Sequence, residues 1–71
     1  MLKILDLDPD GVRVVVDWEN MVIGASIFVP CINTEKALTQ VKGVAKIKDW
    51  EIVTRVVIED NKLGLRVWRT T

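Results

Sequence analysis

The most constraining feature of this 71-residue chain is that its strand-like runs are apolar on both sides, while only one segment has a helical pattern. Apolar residues at helical spacing predict one helix over Thr34–Lys48. One helix can cover only one face of a sheet, so we expect something else to cover the opposite face. Runs of Val, Ile, Leu and Trp between turn residues predict five strands, at Leu2–Leu7, Val12–Trp18, Met21–Val29, Trp50–Glu59 and Leu63–Thr70.

This order of elements, βββαββ, predicts a single α+β domain over residues 1–71, with a mainly antiparallel sheet and the helix packed on one face. An OB-like five-stranded barrel places its helix at the same point in the order and is the alternative. A chain of this size buries only roughly 60% of its unfolded surface, and small domains often add disulfides, metals or oligomerisation. Cys31 is the only cysteine, so a disulfide within the chain is excluded and a homodimer is expected.

Local signals place the turns between these elements. Asp8-Pro9-Asp10-Gly11 is typical of a type I turn, and Asp60-Asn61-Lys62 predicts a hairpin between the last two strands. Asn33 or Thr34 is the expected N-cap of the helix. Gly24 inside the third predicted strand indicates a bulge or a close approach of the backbone. The sequence does not determine the strand order across the helix.

The face that the helix leaves uncovered is the expected protein interface, either with a second copy or with another protein. Large exposed apolar patches usually mark such interfaces. Each apolar side chain buried there gains about 1.5–3 kcal/mol, whereas an exposed ion pair gains about 0–1 kcal/mol. Alternation along the strands assigns six residues to this face: Val15, Val22, Phe28, Val53, Val57 and Trp68.

Nucleic-acid binding is the competing hypothesis. The net charge is zero, but residues 1–20 hold two basic against five acidic residues, while residues 21–71 hold eight against five. A basic surface with an aromatic ring can neutralise phosphates and stack a base. The asymmetry equally fits complementary patches within one fold or between copies. The residues expected to contact nucleic acid are Lys42, Lys46, Arg55, Arg66, Trp68 and Arg69.

Catalytic chemistry has little support in the sequence. The chain has no histidine, so Ser–His and Cys–His nucleophile pairs are excluded, and so are the usual zinc sites. Ser26 lies within a predicted strand and lacks the Gly-x-Ser-x-Gly pattern. Cys31 follows Pro30 where a helix begins, so either a structural thiol or a thiol with a lowered pKa fits that position. We therefore expect a non-enzymatic module without a cofactor.

One motif imitates a metal site. Asp6, Asp8 and Asp10, followed by Gly11 and by Asp17 in the twelfth position, match the ligand spacing of an EF-hand calcium loop. The residues after Gly11 alternate as a strand, and we expect no room for an entering helix before Asp6. A turn with solvated carboxylates is therefore the favoured interpretation, and no metal is assigned.

The chain also resembles a group of small, uncharacterised proteins encoded by tailed phages of marine bacteria. The resemblance covers roughly residues 17–71 and is carried by Ser26-Ile27-Phe28-Val29-Pro30-Cys31 and by Gly64-Leu65-Arg66-Val67-Trp68-Arg69-Thr70. It implies a viral protein in the host cytoplasm and supplies no mechanism. No apolar stretch approaches the ~20 residues of a membrane span, so a cytoplasmic protein without a membrane partner is expected.

Overall fold

The computed structural model describes residues 6–71. Three strands and one long helix follow a short 3-10 turn at Trp18–Asn20. Their order along the chain is β1 (Ser26–Pro30), α1 (Thr34–Lys48), β2 (Ile52–Glu59) and β3 (Lys62–Arg69). The α+β class is confirmed.

The three strands form one antiparallel sheet in the order β1-β3-β2, so the last strand along the chain is central. The β2–β3 hairpin turns through Asp60 and Asn61, whose φ angles are 50° and 63°. Two successive residues in this left-handed region form the type I′ turn, which matches the natural twist of paired strands. The predicted hairpin is confirmed.

Helix α1 has the predicted bounds and a defined cap at each end. The Asn33 side chain accepts a hydrogen bond from the Lys36 N–H at 3.0 Å, which satisfies one of the free donors of the first turn. At the other end Asp49 adopts a left-handed conformation (φ 57°), and its N–H donates to the carbonyls of Ala45 and Lys46. The buried stripe of the helix consists of Ala37, Val41, Val44 and Ala45.

The core lies on one side of the sheet, between the helix and the inward residues of β1 and β3. Residues 6–25 pack on this same side, because Leu7, Trp18 and Met21 belong to the same buried cluster as the helix stripe. The Asp8 N–H donates to Gln40 Oε1 at 2.8 Å, and Gln40 Nε2 donates back to Asp8 Oδ1 at 2.6 Å. Residues 6–25, which we call the N-terminal segment, are therefore tied to α1, and within residues 6–71 the other side of the sheet is left uncovered. The strand residues of the core are Val29, Leu65 and Val67.

The N-terminal predictions need correction. Val12–Trp18 is not a strand, and its one ladder contact is an isolated bridge between Leu7 and Val14. The predicted turn before it is confirmed, since the Gly11 N–H donates to the Asp8 carbonyl at 3.0 Å. The third predicted strand begins only at Ser26, since Gly24 has φ 86° and the Ala25 N–H bonds back to the Val22 carbonyl, which closes a turn.

Part of the fold prediction stays open. Most of the predicted strand Leu2–Leu7 lies outside the described residues. Within residues 6–71 the named strands form an open sheet of three, so neither the βββαββ arrangement nor the barrel is confirmed.

Candidate binding surface

The register of the sheet decides which side chains share the uncovered side. Val53 is paired with Trp68, Arg55 with Arg66, and Val57 with Gly64, while Phe28 lies opposite Arg66 on the other flank of β3. Paired residues point to the same face of an antiparallel sheet, and this face is opposite the buried Leu65 and Val67. We call it the open face and define it by Phe28, Val53, Arg55, Val57, Glu59, Arg66 and Trp68.

Two arginines occupy the middle of the open face. Arg55 and Arg66 are directly opposite each other across β2 and β3, and like charges in that position repel. Arg66 Nε lies 3.5 Å from Glu59 Oε2, which offsets part of this repulsion. Arg55 is exposed on the edge strand. The centre of the face therefore retains positive charge.

Apolar side chains surround this charged centre. Val53 is 54% exposed, and Phe28, Val57 and Trp68 are half-buried without any described element packed over them. Exposed apolar patches of this kind often mark protein-binding surfaces, and phenylalanine, tryptophan and arginine are enriched in such interfaces.

The Phe28 ring is held in place by a glycine. A Cβ added at Gly64 would lie 2.6 Å from Phe28 Cζ and would also collide with the Val29 carbonyl oxygen. The Phe28 ring therefore packs over Gly64 in β3, where a larger residue would displace it. This contact was not predicted, although a glycine in the middle of a strand is the signal that could have revealed it.

Four of the six predicted interface residues come together on the open face: Phe28, Val53, Val57 and Trp68. The other two do not join the sheet. Val15 and Val22 lie in the segment that precedes β1 and are 68% and 63% exposed. They were assigned through strands that do not form, so the alternation that placed them does not apply.

The six predicted nucleic-acid residues fall into three places. Arg55, Arg66 and Trp68 share the open face, as the expected register required. Lys42 and Lys46 are exposed on α1, which packs against the opposite side of the sheet.

The sixth residue, Arg69, takes part in a separate cluster. Arg69 Cζ lies 4.0 Å from the centroid of the Trp50 ring, its Nη1 donates to the Met21 carbonyl at 2.9 Å, and its Nε donates to the Thr71 carbonyl at 2.8 Å. Lys48 Nζ lies 5.2 Å from the centroid of the same ring. Arg69 therefore fastens the N-terminal segment to the end of β3 and is separated from the two arginines of the open face.

The aspartates of the calcium-like motif take part in contacts within the fold. Asp6 Oδ2 lies 2.7 Å from Arg13 Nε, and Asp8 pairs with Gln40 as described. Asp17 accepts a hydrogen bond from the Asn20 side chain. Among residues 6–71 no group of three or more potential ligands is placed to hold a metal ion.

Asp10 joins the first turn to the start of the helix. Its carboxylate accepts hydrogen bonds from the backbone N–H groups of Asn33, at 2.8 Å, and Ile32, at 2.9 Å. These bonds favour the charged form, so they hold the pKa of Asp10 below its usual value.

The Cys31 thiol is buried. The residue is 5% exposed, and its backbone N–H donates to the Leu63 carbonyl at 3.0 Å. Burial, followed by the negative charge of Asp10, raises the pKa of the thiol above its usual value. A thiol that stays protonated is a poor nucleophile, so the geometry favours the structural interpretation of the Pro-Cys junction.

A second surface feature lies along β2 and was not predicted. On the helix side of the sheet, Val56 is 55% exposed and Ile58 is 72% exposed, although alternation places both toward the helix. A groove of about 230 Å³ runs between this strand and the first half of α1. The helix contributes Thr34, Glu35 and Leu38 to the groove, and the sheet contributes Thr54, Arg55, Val56 and Leu65.

Comparisons with known proteins add no assignment. No protein-family model, curated protein or solved structure gives a significant match to this chain. In the described part of the chain, no helix has the length and apolar character that crossing a membrane requires.

Proposed function

We propose that this protein is a small, non-enzymatic binding module whose open face binds a protein partner. The observation that carries the proposal is a set of four apolar side chains on a face that no element of the described part of the chain covers: Phe28, Val53, Val57 and Trp68. Burial of these apolar side chains against a partner would stabilise the complex through the hydrophobic effect.

The charges on the open face define the partner more closely. In a symmetric dimer whose two-fold axis passes through the middle of the open face, that middle meets the middle of the second copy. Arg55 and Arg66 would then oppose the same residues of the second copy, with Glu59 as the one acidic residue of the face to offset them. The arrangement favours a different protein, whose acidic side chains lie among apolar ones.

The remaining chemistry supports binding rather than catalysis. The chain has no histidine, and its one thiol is buried with a raised pKa. The sequence resemblance implies a viral protein in the host cytoplasm, and this setting is part of the proposal. A host protein would then be the natural partner.

A displayed library of random peptides, selected on the wild-type protein, tests the proposal. We expect selected peptides to combine acidic and large apolar residues, and Val53→Gln or Trp68→Ala to weaken their binding by about tenfold. Ile47→Gln is the matched control, because Ile47 is 60% exposed on α1, away from the open face. Peptides that bind all three variants equally well would refute the proposal.

Nucleic-acid binding is the second candidate, and one observation favours it. Arg55 and Arg66 are adjacent on the same face as the Phe28 and Trp68 rings, which is the combination that neutralises phosphates and stacks bases. Titration with single-stranded oligothymidylate at several salt concentrations tests it. Binding that quenches Trp68 fluorescence, falls steeply with salt and is lost in Arg66→Gln supports this function. Absence of binding at low salt excludes it.

A further inference from the structure

Strand β2 is an edge strand whose outer side offers backbone hydrogen-bonding groups. Its neighbour in the sheet is β3, and no strand of the described residues pairs with its other side. In a hairpin with a two-residue turn, the residues that flank the turn, here Glu59 and Lys62, bond to each other. The odd-numbered residues of β2 therefore bond to β3. The N–H and C=O groups of Ile52, Thr54, Val56 and Ile58 point outward.

Apart from the charges of Arg55 and Glu59, this edge lacks the usual protection against pairing. Natural edge strands carry Pro, Lys, a bulge or an inward charge, or they are short. Strand β2 has eight residues, pairs without a bulge and contains neither Pro nor Lys. Val56 and Ile58 stand largely exposed beside the groove at Leu38, which adds apolar area next to the outward backbone groups.

We propose that β2 pairs antiparallel with β2 of a second copy, with Val57 opposite Val57 of that copy. In this register Val56 lies opposite Ile58 of the second copy, and Arg55 lies opposite Glu59 of the second copy. The two-fold symmetry of the dimer generates each of these two pairs a second time. The exposed apolar residues thus cover one another on the helix side, and two pairs of opposite charge form on the open face.

Charge complementarity selects this register over its neighbours. Residues that face each other across the two strands must lie on the same side of the sheet. In every register that meets this condition, one residue of β2 lies opposite the same residue of the second copy. A pairing centred on Arg55 would oppose two arginines and would also oppose Glu51 to Glu59. A pairing centred on Val56 would place Arg55 opposite Val57. A pairing centred on Val53 would give Arg55 an acidic partner in Glu51, but it would leave Ile58 opposite a residue that precedes β2. The pairing centred on Val57 gives Arg55 a direct acidic partner and also pairs the exposed residues Val56 and Ile58.

The pairing has a consequence for binding. A two-fold axis through the new strand pair stands perpendicular to the sheet, so it keeps the two open faces on the same side. The two three-stranded sheets become one continuous sheet with a doubled open face. The edge pairing does not depend on what the open face binds, although two linked faces would strengthen binding to a repeated partner.

Disulfide trapping tests the register in chains that also carry Cys31→Ala. Residues opposite each other without mutual hydrogen bonds have Cα atoms about 4.5 Å apart, which a disulfide can bridge, so Val57→Cys should form a covalent dimer under mild oxidation. Val53→Cys is the matched control on the same strand and face. In the proposed register its two copies lie about 26 Å apart, because each is four residues from the axis at about 3.3 Å per residue. Equal trapping of both variants overturns the register.

The mass of the wild-type protein in solution tests the pairing itself. The average mass should rise with concentration from 8.0 kDa toward about twice that value. Ile58→Lys places a charge on the edge at a residue that is 72% exposed, and it should weaken the dimer by about tenfold while the chain stays folded. A wild-type mass that stays at the monomer value over the whole series overturns the proposal.

A charge exchange and a binding assay complete the test. Arg55→Glu and Glu59→Arg should each weaken the dimer, and the double exchange should restore it, at least in part. Failure of the double exchange to restore any association would contradict the Arg55–Glu59 pairs. Ile58→Lys should still bind the library-selected peptides, since Ile58 lies on the helix side. Failure of the edge pairing and failure of the open-face function are thus separately visible.

Discussion

The sharpest consequence of this fold is that identical substitutions on the two sides of the sheet should have very different costs. Val67 lies in β3 on the helix side and is 0% exposed, while Val53 lies in β2 on the open face and is 54% exposed. Val→Thr keeps the β-branched shape and replaces one methyl group with a hydroxyl group. The pair therefore measures burial with little change in strand propensity.

The expected magnitudes follow from this exposure. In Val67→Thr the new hydroxyl group is buried in an apolar core, which costs about 1–3 kcal/mol, and the lost methyl group adds about 0.8 kcal/mol. We expect the free energy of unfolding to fall by about 2–4 kcal/mol. That is a large part of the roughly 4–11 kcal/mol available to a chain of this length. Val53→Thr exposes its hydroxyl group to water and should cost less than about 0.5 kcal/mol.

Urea unfolding at one protein concentration, followed by tryptophan fluorescence, measures both values. A loss of about 2 kcal/mol would also lower Tm by about 8–16 °C in a domain of this size. The reasoning is refuted if Val53→Thr is as destabilising as Val67→Thr, because the open face would then be buried in the isolated protein.

Four further substitutions and measurements test single features of the fold. Gly43→Ala should raise the free energy of unfolding by about 0.5–1 kcal/mol, since a Cβ there meets open space on the helix, and an unchanged urea midpoint would contradict this. Gly64→Ala should lower it by about 1–3 kcal/mol, because the new methyl group collides with both the Phe28 ring and the Val29 carbonyl oxygen, and an unchanged urea midpoint would contradict this packing. Asp10 has a lowered pKa in the folded state, so its carboxylate stabilises the fold above the ordinary carboxyl pKa, and this contribution disappears as the pH falls through the lowered value. The Tm difference between wild type and Asp10→Ala should therefore shrink toward zero in acid, and a constant difference would argue against the backbone hydrogen bonds. Cys31 should react with a thiol reagent at neutral pH only as fast as the protein opens, and rapid reaction of the native protein would show that the thiol is accessible.

The parts of the fold that the sequence predicted well are those whose structure is determined by residues close together in the chain. Helix α1 has strong periodicity, an Asn33 cap and an end at Lys48, and the structure has the same bounds. The β2–β3 hairpin combines two apolar runs with a short polar turn, so its register follows from the turn at Asp60 and Asn61. That register brought Arg55, Arg66 and Trp68 together on one face as expected.

The N-terminal part could not be predicted in this way, because its order is set by distant contacts. Val12–Trp18 alternates like a strand, yet Trp18 and Met21 enter the helix-side core through a 3-10 turn instead of a ladder. The left-handed backbone at Gly24 then ends the predicted third strand early. Arg69 is separated from the other arginines for a similar reason. It contacts the ring of Trp50, which lies before β2, and the position of that ring is set by tertiary contacts.

The most direct measurement of the central claim is the side-chain NMR response when a library-selected peptide is added to the isotope-labelled protein. Each tryptophan gives its own indole N–H signal, and the three rings occupy different surroundings: Trp68 on the open face, Trp18 in the core and Trp50 beside Arg69. The Trp68 indole and the Arg66 Nε–H signals should shift together, while the Trp18 signal stays in place. Shifts confined to exposed residues of α1, with the Trp68 signal unmoved, would contradict binding at the open face.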